Sequence, residues 1–142
     1  MKRMILALLL LSAGHTMSYA QCDKKVIITS SKTEHLGADS TVQQTEDEKT
    51  TVEFDKMNIT IIPGSEDHKM TGTIRSYTCD WKVAFREGRT ALKVTLADEH
   101  GETKDVRITI GGKDGKISFL AELEDMPDRK IRLVVDKFEE KQ

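Results

Sequence analysis

Aromatic residues are scarce in this chain: one tryptophan, two tyrosines and four phenylalanines in 142 residues. Its core must therefore be built mostly from medium-sized aliphatic side chains. Basic residues are not in excess either. Lys and Arg number 22 against 24 Asp and Glu, and they are scattered. Nucleic-acid binding needs a concentrated basic surface, so that class of function is excluded. No apolar run reaches the roughly 20 residues that a membrane-spanning helix requires, so no integral membrane segment is expected. Long repeats and low-complexity tracts are missing as well.

Motifs that carry chemistry are also lacking. No serine sits in Gly-x-Ser-x-Gly, and no glycine-rich phosphate loop precedes a helix. His35, His68 and His100 lie among polar residues, read as solvated loops, and none has a partner at zinc-ligand spacing. The acidic groups Glu46-Asp47-Glu48, Glu66-Asp67 and Asp98-Glu99 match no calcium loop, and charged turns between strands account for them. No cofactor, metal or catalytic residue is expected, and the chain reads as non-enzymatic.

What is present begins at the N-terminus. Lys2 and Arg3 precede an unbroken apolar run from Met4 to Leu11, and Ser18-Tyr19-Ala20 places small residues where a signal peptidase reads. This is the layout of a secretory leader over residues 1–20, with one domain over 21–142. The protein is expected to be exported, periplasmic or extracellular. Losing Lys2 and Arg3 with the leader lowers the formal net charge from −2 to −4.

Cys22 and Cys79 both fall in the mature chain. An oxidising compartment and an even count point to a disulfide between them. On the chain-entropy model, closing so long a loop is worth about 4 kcal/mol. Lipidation of Cys22 fits less well, because Gln21 stands where a small residue is needed. A free Cys79 nucleophile is the less simple alternative.

Beyond Cys22 the apolar period is two. Val52 and Phe54, Cys79, Trp81, Val83 and Phe85, Leu92, Val94 and Leu96, Val106, Ile108 and Ile110, and Ile131, Leu133 and Val135 all alternate with other residues. Such alternation marks strands with one face in a core. Strands are predicted near 24–30, 50–55, 57–62, 70–78, 79–86, 90–97, 104–111, 116–123 and 130–136. A change of parity between Ile74 and Trp81 calls for a bulge near Tyr77–Cys79. Lys32–Gln44 is polar and reads as a loop, a short helix or a weak strand. Asp114-Gly115 is a strong hairpin signal, and Gly111-Gly112 before it reads as a turn.

Short connections favour an up-and-down antiparallel meander. Eight or nine strands with one apolar face must close or fold over. The predicted fold is therefore all-β, a barrel or half-barrel first and a β-sandwich second.

A cysteine just after the leader, a first strand at Val26–Ile28 and a long meander with Trp81 inside a strand resemble small secreted bacterial lipocalin-like proteins. The Gly-x-Trp of the lipocalin first strand is not present here. The resemblance implies an eight-stranded barrel holding a small apolar ligand. Tyr77, Trp81, Phe85 and Phe119 are the candidate wall residues, with plain core packing as their other reading. The alternative role is a structural or interaction module of the cell envelope. It would act through an outer sheet face that presents Lys93, Arg107 and Arg132.

Two short modification patterns remain, Asn58-Ile59-Thr60 for N-glycosylation and Asp39-Ser40-Thr41 for O-glycosylation. The leader gives the first test. Intact-mass measurement of protein from its native host should place the mature N-terminus at Gln21, and a diacylglycerol adduct on Cys22 would overturn that expectation.

Overall fold

A computed structural model describes residues 19–141. The expected leader thus lies almost wholly outside the described residues. One helical turn, α1 (Tyr19–Cys22), leads into eight strands. These are β1 (Val26–Leu36), β2 (Val42–Phe54), β3 (Asn58–Pro63), β4 (Met70–Val83), β5 (Glu87–Ala97), β6 (Thr103–Lys113), β7 (Lys116–Leu123) and β8 (Lys130–Glu140). Each pairs antiparallel with the next, and β8 pairs with β1, so the sheet is a closed up-and-down barrel.

The two-residue period builds the inside directly. Leu92, Val94, Val106, Ile108 and Ile110 are all buried, while Lys93 and Arg107 between them face out and are exposed. Apolar inside and charged outside is the reverse of a lipid-facing barrel, whose outer face carries an apolar band. The barrel closes because its strands bend. The register slips at Ser31 in β1, at Arg75 in β4 and at Asp136 in β8. An extra residue at such a bulge kinks its strand and swaps the inward parity. At the first of these, Ser30 Oγ donates to the Lys32 carbonyl at 2.9 Å and accepts from the Lys32 amide at 3.2 Å.

The structure corrects three details of the sequence reading and decides a fourth, the segment Lys32–Gln44, in favour of strand. The segments 70–78 and 79–86 are one strand, β4, and its register breaks at Arg75, which accounts for the change of parity, and again at Lys82, rather than near Tyr77–Cys79. Most of Lys32–Gln44 is strand: the ends of β1 and β2 continue through it as a hairpin. It is polar because β2 pairs there with β1 alone and stays exposed. Gly111 and Gly112 belong to β6, and the turn is made by Asp114 and Gly115, both at positive φ, 53° and 81°. His35 is a strand residue of β1, not a loop residue.

Turn chemistry fixes the neighbouring hairpin too. Asp55 Oδ1 accepts from the amides of Met57 and Asn58, each at 2.8 Å. The Asn58 amide foremost, with that of Met57, holds the Asp55 carboxyl below its usual range. On the outer face of the β1–β8 seam, Arg132 Nε donates to Glu34 Oε1 at 2.9 Å. Arg132 therefore does more than solvate the sheet.

Cys22 and Cys79 form the disulfide, with Cα atoms 5.9 Å apart, and tie α1 to β4. Replacing both by alanine should lower the unfolding free energy by about 2–4 kcal/mol. Urea titration of the mature protein checks this, and unchanged stability would show that the bridge constrains little.

Candidate functional site

The interior has two halves of different character. At the end holding α1, the β4–β5 turn and the C-terminus, the barrel is filled. Trp81 is only 1 % exposed. Its indole Nε1 donates to Thr90 Oγ1 at 2.7 Å, and that hydroxyl in turn points at Cys79 Sγ, 3.6 Å away. Phe138 meets both the Trp81 ring, at 5.5 Å between centroids, and the Phe85 ring, at 4.9 Å, each edge to face. Such pairs are favoured by the ring quadrupole.

Room for the indole is made by two glycines. A Cβ on Gly112 would come within 2.6 Å of Trp81 Cζ3, and one on Gly88 within 2.4 Å of the Trp81 Cα. Those glycines pair with each other across β5 and β6. Around them, α1 is fastened down. Gln21 Oε1 accepts from the Phe85 amide at 2.7 Å, and the Tyr77 hydroxyl donates to the Cys22 carbonyl at 3.1 Å. Burial pushes the Tyr77 phenol above its ordinary value.

Towards the other end the barrel is hollow. A cavity of about 330 Å³ lies between Val52, Ile61, Leu96, Val106, Phe119 and Leu133. Its mouth is formed by His35, Glu46, Glu48, Asp98, Glu102 and Lys104. Eight-stranded barrels are just wide enough for side chains to fill or for one small ligand to enter. This one does both, at opposite ends.

Of the four aromatic residues expected on a cavity wall, Phe119 lines the cavity. Trp81, Tyr77 and Phe85 pack at the filled end as its floor. The physical reason is volume: the large rings occupy the space that a cavity would need, and short aliphatics leave space behind.

The polar side chains of the cavity are the part that sequence reasoning missed. Thr33 and Thr50 line it and are 7 % and 3 % exposed. Among the described residues neither hydroxyl oxygen has a hydrogen-bond partner, and neither does His35 Nε2, which stands 3.6 Å from Glu46 Oε2. A signal did exist for one strand. Carrying the inward parity of Phe54 and Val52 back along β2 reaches Thr50, Glu48 and Glu46. The acidic triplet at 46–48 is thus split, with Glu46 and Glu48 turned to the cavity and Asp47 left in solvent. No comparable signal marks Thr33, because the bulge at Ser31 resets the parity of β1.

Among the described residues no three His, Cys, Asp or Glu side chains converge as metal ligands would. The site is that of a cup-shaped barrel with an apolar wall, a polar stripe and a charged mouth. Protein-family models, curated proteins and solved structures give no match to this chain.

The floor can be tested apart from the cavity. Trp81→Ala should cost about 3–5 kcal/mol of stability, the range for deleting a buried large aromatic. Gly112→Ala should cost about 1–3 kcal/mol through overpacking against the indole. Denaturant titration measures both, and a neutral Gly112→Ala would show that the indole has room to move.

Proposed function

We propose that the protein is an exported, non-enzymatic binding module that carries one small, largely apolar ligand in the open half of its barrel. The cavity carries this reading. At about 330 Å³ it falls within the roughly 300–1,000 Å³ usual for small-molecule sites. It has the make-up of such sites, an apolar wall with a few placed polar groups. By comparison, a dry engineered cavity of about 150 Å³ already takes benzene.

Three further points support the reading. The up-and-down topology agrees with the lipocalin-like resemblance of the sequence. The disulfide suits an oxidising compartment outside the cytoplasm. The filled floor keeps the far end of the barrel from opening, so a ligand enters and leaves by the mouth.

A neutral apolar fluorophore, N-phenyl-1-naphthylamine, tests this on the mature disulfide-bonded protein. Saturable binding at micromolar concentrations is expected. Ala121, small and on the cavity wall, offers a way to fill the space. Ala121→Phe should weaken binding by about tenfold or more, equivalent to about 1.4 kcal/mol, while the protein stays folded. No saturable binding to the wild type would remove the proposal.

A further inference from the structure

We propose that the ligand of this cavity is an amphiphile with a cationic, hydrogen-bond-donating head, a long-chain primary amine or amino alcohol, rather than a fatty acid. The inference rests on the cavity reading above and specifies its ligand class.

Two independent observations carry it. The first is the pair of unpartnered hydroxyls. Other buried hydroxyls in this barrel are satisfied: Ser30 Oγ by Lys32, and Thr90 Oγ1 by Trp81 and Cys79. Thr33 and Thr50 are more than nine-tenths buried, line the cavity and have no hydrogen-bond partner among the described residues. Buried polar groups in folded proteins are normally paired, so two unpaired ones on a single cavity wall call for a ligand group. Both stand on the β1–β2 wall, Thr33 opposite Glu46 and Thr50 opposite Ser30. Thr33 is thus nearer the mouth, and a head group entering there meets it first.

The second observation is the charge of the mouth. Four carboxylates, Glu46, Glu48, Asp98 and Glu102, face one ammonium, Lys104, around the opening. Glu48, Asp98 and Glu102 make no ion pair among the described residues. Asp98 Oδ1 holds the β5–β6 turn by accepting from the amides of His100 and Glu102. Arg129 and Lys130 sit on the β7–β8 side, outside the cavity lining. Since the carboxylates do not converge on a metal position among the described residues, the cation they suit is the ammonium of an organic head group. An apolar tail would lie along Val106, Phe119 and Leu133. An ammonium at the mouth would donate to Thr33 and to the carboxylates, and a neighbouring hydroxyl would reach Thr50. A fatty acid would place like charge among four carboxylates near low-dielectric walls, where repulsion is screened least.

The test displaces N-phenyl-1-naphthylamine from the mature protein at neutral pH, with dodecylamine, dodecanol and dodecanoic acid below their aggregation limits. Dodecylamine should displace the probe at about tenfold lower concentration than dodecanoic acid, with dodecanol between them. The advantage should shrink at high ionic strength and in the Glu46→Gln/Glu48→Gln variant. Thr33→Val with Thr50→Val should weaken dodecylamine several-fold more than it changes binding of the fluorophore. Equal or better displacement by dodecanoic acid would overturn the head-group assignment while the cavity reading stands. Dodecylamine binding that persists undiminished in Ala121→Phe would be surface adhesion and would also overturn it. Failure of the fluorophore itself to bind the wild type would remove both readings together.

Discussion

The structure depends on the ladder between β8 and β1. Without it the chain would be a curved meander with an exposed apolar face and two free edges. With it, every strand has two neighbours, and the inner face is enclosed. Closure abolishes the edges that would otherwise recruit other chains. It also demands curvature, which the bulges at Ser31, Arg75 and Asp136 supply. The bulges at Ser31 and Asp136 lie in the two strands of the seam itself. The strands that must meet at closure are therefore the ones that bend.

Closure leaves an interior to be filled, and the chain fills it unevenly. Trp81, Phe85 and Phe138 cluster at one end, with Gly88 and Gly112 giving up their side chains so that the indole fits. The disulfide and the Gln21–Phe85 hydrogen bond pin α1 to the same end. Most of the aromatic volume of a chain poor in aromatics is used there. The other end keeps Phe119 among aliphatic and threonine side chains, and a cavity follows from the shortfall. A closed floor and an open mouth are two results of one uneven distribution.

The mouth carries the polarity that the wall does not. The long β1–β2 hairpin extends past β3, so residues with little apolar character still form strand there. Its inward positions become a polar stripe of His35, Thr33 and Thr50 leading from the rim towards the aliphatic wall. Leaving hydroxyls unpaired in such a place works against stability, since desolvating an unbonded hydroxyl costs about 1–3 kcal/mol by mutational measures. A protein optimised only for folding would have valine at both threonine positions. That is the physical reason to read the stripe as part of a site rather than of the core.

The sequence by itself determined the all-β class, the antiparallel order and the disulfide partners. Period-two alternation such as Leu92–Leu96 and Val106–Ile110 is a local property, and a pair of cysteines has only one intramolecular solution. Asp114-Gly115 marked its hairpin for the same local reason, since both residues tolerate positive φ. What only the tertiary structure decided was which inward residues meet. Trp81 became floor rather than cavity wall because Gly88 and Gly112, distant from it in sequence or facing it from another strand, open space for its ring. Glu46, Glu48, Thr33 and His35 became cavity residues because pairing with neighbouring strands held a polar segment in extended form that its own composition does not dictate. Parity along a strand can be read from a sequence until a bulge resets it, and the bulges arise from closing the barrel.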